Sequence, residues 1–504
     1  MPNILEYLEI HSNNKKNKSR FEDKDNVMNY QSMTLSAKKI GSAISKYGFA
    51  RNPIAIYLDK SVDELACFFG VIYSGNFYVP IDPELPLQRI KTIFEVLKPV
   101  GVITKEKIKS EYKDYFENYN LMYIDELKKE KLDEERLAQI RQSAIDTDPI
   151  YALFTSGSTG VPKGVVVCHR SVINYAEWIK DTFSVNSDSV LGNQTPFYFS
   201  MSVLDIYGTL VAGASLCLIP KKLFMFPIEL SEYLNKKKIN MIYWVPTALS
   251  MFNRFHALNT IVLPYLEKIL FAGEVMPTKY INEWKRRFPH ILYANLFGPT
   301  EITDIGIYYI LDREYSDEEP LPIGKACKNV DAFVISADNE LIQEPDQEGE
   351  LIIRGSFLAL GYYNDWPKTR EAFIQNPLNS MYPELVYKTG DIVKYNNYNE
   401  LIYVGRKDFQ IKHMGNRIEL GEIENSVNSL EAVESCACVL DKEKDWIILF
   451  YAGRESKEMI VKRCRENLPH YMIPNKVIKI EELPLNRNGK IDRGRLLELW
   501  KMNL

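Results

Sequence analysis

At 504 residues and a formal net charge of -5, the chain is too long for one compact core and too mildly acidic to invite a polyanion, so two or more domains are expected, with neither nucleic acid nor an anionic membrane as partner. Its first residues, Met1-Pro-Asn-Ile-Leu-Glu6, lack the basic-then-apolar pattern of a signal peptide, and its longest apolar runs, such as 210–219, are too short to cross a bilayer. Seven scattered cysteines, mostly in apolar sequence, read as structural thiols in a reducing cytoplasm; Cys436-Ala-Cys438 has no second ligand pair at zinc spacing.

Along residues 1–150, strand-like and helix-like runs alternate. Pro53-Ile-Ala-Ile-Tyr-Leu58 reads as a buried strand, Val62 to Tyr73 as an apolar helix, and Tyr78-Val-Pro-Ile-Asp82 as the next strand. Such alternation predicts parallel sheets covered by helices. The lysine-rich stretch 105–147 is expected to supply surface helices or loops. An apolar run from Ile150 to Phe154 then breaks into Thr155-Ser-Gly-Ser-Thr-Gly-Val-Pro-Lys-Gly164, followed by the β-branched run Val165-Val-Val167. Glycines let N–H groups turn inward and hydroxyls add donors, so the loop suits a polyphosphate, with Lys163 as a mobile positive charge. It is not a Walker A loop, because Gly164 follows Lys163 and the glycine-to-lysine spacing is wrong.

His169-Arg170-Ser171 opens an amphipathic helix, with Ser171 expected as N-cap and Val172, Tyr175, Ala176, Ile179 and Phe183 on one face. His169 has no carboxylate or nucleophile within motif reach and is expected to be structural or substrate-adjacent. The aromatic and apolar stretch 196–207 reads as a core helix. Runs 239–247 and 269–274 predict two strands, whose C-terminal ends in an open α/β sheet are where ligands bind. In Asn295-Leu-Phe-Gly-Pro-Thr-Glu-Ile-Thr303, Gly298-Pro299 enforces a turn that presents Thr300 and Glu301. A carboxylate beside a phosphate site is repulsive unless a cation bridges them, so Glu301 implies Mg2+. Further on, Arg417-Ile-Glu-Leu-Gly-Glu-Ile-Glu424 opens a helix with Leu420, Ile423, Val427 and Leu430 on one face, and strands are expected at 435–440 and 446–451.

The phosphate loop, Tyr78-Val-Pro-Ile-Asp-Pro83 with Leu87-Gln-Arg-Ile90, the Asn295–Thr303 motif, Tyr387-Lys-Thr-Gly-Asp391, Gly405-Arg406-Lys-Asp408, Leu468-Pro-His-Tyr-Met-Ile-Pro474 and Leu483-Pro-Leu-Asn-Arg-Asn-Gly-Lys-Ile-Asp-Arg493 run in one order from about residue 54 to residue 493. In that order they resemble the adenylate-forming superfamily: acyl-CoA synthetases, luciferases and the adenylation domains of nonribosomal peptide synthetases. The resemblance implies an α/β fold with a large N-terminal domain of layered sheets and helices, residues 1–407. A small mobile C-terminal α/β lid, residues 408–504, would hinge at Asp408. It implies that ATP is held by Thr155, Ser156, Gly157, Ser158, Thr159, Gly160 and Lys163 together with Asn295, Phe297, Gly298, Thr300, Asp391, Arg406 and Lys490. Phe297 would stack on the adenine, Asn295 would bond its edge, and Asp391 is suited to accept both ribose hydroxyls. Catalysis would fall to Lys490, Glu301, Thr155 and Lys163, with Glu301 as the Mg2+ ligand. Lys412 and Gly415 would line a thiol channel.

The closing motifs look most like amino-acid adenylation enzymes, in a layout similar to D-alanine–carrier protein ligase. The expected acceptor is the phosphopantetheine thiol of an acyl or peptidyl carrier protein acting in trans, since no carrier domain follows Lys490. A CoA ligase and a non-catalytic adenylation-like binding protein are the competing readings. The substrate pocket implied by alignment is Phe199, Ser200, Met201, Leu204, Tyr243 or Trp244, Leu270, Ala272, Leu296, Asp304 and Ile305. Relatives that take α-amino acids carry Asp where this chain has Ser200. An unpaired buried ammonium costs on the order of 3–5 kcal/mol, so the small carboxylic acid is expected to lack a normally placed α-amino group. A hydroxybenzoate-like aryl acid and a β-amino acid are the two leading classes, with Asp304 receiving a ring hydroxyl or a distal amine. The alternative is an ordinary α-amino acid such as D-alanine. Leu360, where relatives have Arg in Ala-Arg-Gly-Tyr, is a second departure.

Overall fold

Unbroken apolar runs such as Pro53–Tyr57 form strands buried along their whole length, as parallel strands covered by helices must be. The computed structural model describes residues 3–14, 18–105, 108–157, 160–408, 410–485 and 491–502. By their contacts the residues fall into two units, the first formed by 1–82, 98–153 and 165–407, the second by 83–97, 154–164 and 408–504. Among the described residues no helix is long and apolar enough to cross a membrane. All seven cysteines are buried thiols.

Among the described residues three sheets build the first unit. A seven-stranded sheet runs in the order Gly361–Tyr362, Lys163–Cys168, Pro149–Thr155, Phe77–Pro80, Pro53–Tyr57, Gly101–Thr104, Leu121–Tyr123. A nine-stranded sheet has at its centre the parallel neighbours Leu292–Phe297, Lys268–Phe271, Met241–Trp244, Val190–Asn193 and Ser215–Leu218. The third sheet is antiparallel and brings Leu385–Tyr395 against Leu401–Arg406. Helix Val62–Tyr73 is capped by Ser61, whose hydroxyl accepts from the Glu64 N–H. It crosses helix Tyr30–Ser45 closely enough that a Cβ on Gly70 would lie 2.4 Å from the Ile40 side chain.

The second unit has a two-stranded hairpin, Gln410–His413 with Asn416–Glu419, and a sheet of Val433–Asp441, Trp446–Gly453 and Lys476–Lys479. One face of this sheet buries Cys436 and Cys438 with Ile423, Val427 and Ile460; the other buries Ala437 with Leu496 and Trp500. Strand alternation explains the Cys-Ala-Cys pattern without a metal.

Several local expectations change. Ser171 is not the N-cap of helix His169–Thr182; Cys168 holds that place without a side-chain capping bond. The first N–H groups of this helix, from His169 and Arg170, already donate to the carbonyls of Asp148 and Asp146. Ser171 instead donates to the Leu358 carbonyl at 2.8 Å. The run 239–247 is a strand only over Met241–Trp244, because Pro246 opens helix Pro246–Arg254. The surface stretch 105–147 also adds an edge strand, Leu121–Tyr123. The helix expected from Arg417 begins at Leu420, since 416–419 are spent on the hairpin.

His169 is buried, and its Nδ1 accepts the Ile4 N–H at 3.3 Å. Burial pushes its pKa from 6.5 down to about 4. The unfolded chain therefore binds an extra proton between these values, so stability is full above pH 6.5 and falls as pH drops toward 4, by roughly 3 kcal/mol from this group. His169→Asn keeps an acceptor and should flatten that slope in urea midpoints measured from pH 7 to 4. An unchanged slope would assign the acid sensitivity to other groups.

Candidate active site

In the first unit the strand registers align Tyr243, Leu270 and Ala294 across three parallel strands. Leu296, two residues beyond Ala294, shares their face, while Trp244, Phe271, Asn295 and Phe297 project from the other. Residues expected at the acid and residues expected at the adenine are thus interleaved in sequence and leave the sheet in opposite directions. The two aromatic candidates separate in the same way. Tyr243 donates to Asp304 Oδ2 at 3.2 Å, whereas Trp244 Nε1 donates to the Gly192 carbonyl at 3.1 Å and its ring meets Phe224.

Asp304 is buried and also accepts from the Tyr175 hydroxyl at 2.7 Å. Tyr175 shows in the sequence only as one more residue of an apolar helix face. Burial and the Asp304 charge push both tyrosine hydroxyls far above their ordinary range, which keeps them donors. Asp205, on the wholly buried helix Met201–Ala212, accepts from Asn193 at 2.8 Å. Burial raises its carboxyl, and the charge of Asp304 adds to the rise. Lys60 bonds the same Asn193 at 3.0 Å, and burial brings it down to about 8. This second buried cluster carries no sequence motif.

Ser200 stands immediately before that helix and accepts from Thr300 Oγ1 at 3.3 Å. The ring of Phe199 lies 4.8 Å from that of Tyr198. Met201 Sδ lies 3.4 Å from where a Cβ on Gly273 would sit, beside Ala272. Leu204, Leu296 and Ile305 are buried.

Gly298 is required at its turn, since a Cβ there would sit 2.2 Å from the Asp304 carbonyl. The chain then enters the 3-10 turn Thr300–Ile302 and leaves it through Thr303 at a φ of 73°. Glu301 is fully buried and accepts from the Tyr362 hydroxyl at 2.7 Å. A hydrogen-bonded buried carboxylate is a hard oxygen donor. Mg2+ is commonly held by one or two carboxylates completed by substrate phosphates, and among the described residues no group of three or more His, Cys, Asp or Glu is placed to hold a metal by itself. The donor set fits that ion. Asn295 Nδ2 donates to the Pro322 carbonyl at 2.8 Å, and the Phe297 ring lies 5.8 Å from Tyr403. Asp391 and Arg406 face each other across antiparallel strands, with Arg406 donating to Asp391 at 3.1 Å and to the Thr389 carbonyl at 2.6 Å.

In the second unit Thr155 Oγ1 is buried with no hydrogen-bond partner among the described residues, an orphan that a phosphate oxygen would satisfy. Ser156 donates to the Arg417 carbonyl at 2.8 Å, and the Gly157 N–H donates to Glu422 Oε2 at 3.3 Å. Gly157 tolerates no side chain, as a Cβ would sit 2.0 Å from the Val161 carbonyl; Gly160 has a φ of 83°. Glu422 is also paired with Arg89, both buried. Lys163 is partly buried. Asp408 accepts the Gln410 N–H at 3.2 Å, and Lys412 lies in the hairpin whose tip, Met414-Gly415, has positive φ at both residues. Ser158, Thr159 and Lys490 lie outside the described residues.

A family model described as AMP-binding enzyme matches residues 8–363, and one described as AMP-binding enzyme C-terminal domain matches 422–490. Zwittermicin A synthase ZmaJ of Bacillus cereus is 30% identical over 482 residues, 93% of this chain and 90% of that one. D-alanine–D-alanyl carrier protein ligase of Bacillus cytotoxicus is 30% identical over 518 residues, 98% and 99%. Against larger relatives the chain spans 42% of tyrocidine synthase 1 and 9% of bacitracin synthase 1. In fold, it is similar to the Vibrio cholerae adenylation domain AlmE, with a TM-score of 0.83 at 22% identity, covering 99% of this chain and 97% of that one.

Proposed function

The chain belongs to the AMP-binding enzyme family as an adenylate-forming ligase, and from that premise we propose that it activates a small carboxylic acid with ATP and passes the acyl group to the phosphopantetheine thiol of a carrier protein. The acid's oxygen bonds to the α-phosphorus as the bond to pyrophosphate breaks. The thiol then attacks the acyl carbon and AMP leaves. The first step needs in-line positioning and charge neutralisation more than a protein nucleophile. Thr155, Lys163 and the loop amides would hold the phosphates, Asp391 and Arg406 the ribose side, and Lys490 the reacting oxygens. Glu301 would hold Mg2+, which when bound neutralises phosphate charge. Asp408 as hinge, the boundary at 407/408, and Lys412 and Gly415 at the thiol belong to the same proposal. The ligase relatives favour a carrier protein over CoA as acceptor.

The acid, on this reading, lacks a normally placed α-amino group. The carrying observation is Ser200, a neutral hydroxyl bonded to Thr300 where an ammonium would need a carboxylate. The buried acidic side chain sits elsewhere, at Asp304, whose charge adds to burial in raising the Asp205 carboxyl. That field suits an amine further along the acid, as in a β-amino acid; the tyrosine-lined Asp304 also suits the hydroxyl of an aryl acid. An α-amino acid remains the second reading because a 30% identical relative is a D-alanine ligase. ATP–pyrophosphate exchange with β-amino acids, hydroxybenzoates and α-amino acids of both hands separates them. A dominant signal for an acid without an α-amine is expected, and one for D-alanine would overturn the pocket reading. Carrier and CoA as alternative acceptors of the activated acid test the second step.

A further inference from the structure

The segment 357–362 wraps the turn that carries Glu301. The Phe357 carbonyl accepts from Thr303 Oγ1 at 2.8 Å, the Ala359 N–H donates to the Glu301 carbonyl at 2.9 Å, and the Tyr362 hydroxyl ends on Glu301 Oε1. Tyr362 is itself fixed from several sides. Gly361 and Tyr362 pair with Val166 and Val165 at the edge of the seven-stranded sheet. The Tyr362 N–H donates to Thr369 Oγ1 at 2.9 Å, and its ring lies 5.9 Å from that of Phe373. Gly361 has a φ of 127°, and a Cβ there would strike Thr369 at 2.6 Å, so this residue pair is built to one conformation. In the sequence the Gly-Tyr pair stands behind Leu360, the departure from Arg, and Leu360 is exposed.

We propose that Tyr362 is a positioning residue for the metal-ligating carboxylate: its hydroxyl locks the Glu301 side chain, so that the ligand is presented to Mg2+ ready-oriented. The proposal rests on the reading of Glu301 as the Mg2+ ligand. A donor behind a ligating carboxylate sets ligand orientation, and loss of such an outer partner commonly weakens metal binding by about 10- to 100-fold. A fully buried carboxylate also depends on that donor for its solvation.

Two variants and one control test this. Tyr362→Phe removes only the hydroxyl and keeps the ring against Phe373. Mn2+ binding, followed by electron paramagnetic resonance with a non-hydrolysable ATP analogue present, is expected to weaken about tenfold or more. In pyrophosphate exchange the half-saturating Mg2+ concentration should rise by a similar factor, while kcat at saturating Mg2+ stays within about threefold of wild type. Tyr362→Ala should show the same metal defect with an added loss of stability. Glu301→Gln is the control for the underlying reading. If Glu301→Gln binds Mn2+ as wild type does, the metal assignment itself fails. If Glu301→Gln loses the ion but Tyr362→Phe retains wild-type Mn2+ affinity and Mg2+ dependence, the role of Tyr362 is overturned.

Discussion

Lys490→Ala is expected to slow ATP–pyrophosphate exchange by roughly 10²–10³-fold, the loss typical of removing one aimed donor from a developing charge. Thioester formation from a supplied acyl-adenylate should change by less than about threefold, because the bond made in that step is at the acyl carbon and the α-phosphorus is no longer the centre attacked. The division between halves is what identifies the lysine. A general structural defect would lower both rates together, whereas a group acting at the α-phosphate lowers only the first. Exchange is read with labelled pyrophosphate and the second step in single turnover with a pantetheinylated carrier. Equal losses in both would remove Lys490 from the chemistry. The assignment starts from the Leu483–Arg493 motif, so this experiment carries more of it than any contact does.

What the sequence makes legible is whatever a short stretch dictates by itself. Helix Val62–Tyr73 ends where its apolar run ends, and the Gly298 turn follows from a residue that can carry no Cβ. Asp391 and Arg406 meet because two adjacent antiparallel strands set their register locally. Pairings between distant segments are a different matter. Whether Tyr243 or Trp244 turns toward the acid-binding side depends on register against Leu270, which no spacing within 239–247 encodes. Tyr362 reaches Glu301 across 61 residues, and Tyr175 reaches Asp304 across 129. Tyr175 looks like an ordinary apolar-face residue and Tyr362 like the mere end of a short motif, because their rings do pack as core and only the hydroxyl does something else. Ser171 shows the converse. Its type suits an N-cap, yet the loop carbonyls of Asp146 and Asp148 had already satisfied the helix start.

Glu422→Ala is expected to destabilise the second unit by about 3–5 kcal/mol, because it leaves the Arg89 guanidinium buried without its counter-charge. The two side chains are 1% and 7% exposed, 333 residues apart in sequence. Burial pushes the Glu422 carboxyl up even though Arg89 and the Gly157 N–H pull it down. Taking both ions out of water offsets most of their mutual attraction, so the intact pair contributes little net stability although breaking it is costly. That asymmetry makes a second expectation. Arg89→Met with Glu422→Leu removes both charges and should recover most of the loss. It should not recover all of it, since the Gly157 N–H still loses its acceptor, worth about 1–3 kcal/mol when buried. Denaturant midpoints of wild type, both single variants and the double variant form the cycle, and hydrogen exchange in helix Leu420–Asn428 locates the effect. A single-variant loss below about 1 kcal/mol is the signature of a solvent-exposed pair and would contradict the burial of these two residues. A double variant as unstable as the worse single would show that the apolar replacements do not fit the space, and that the site needs its charges for shape as well as for balance.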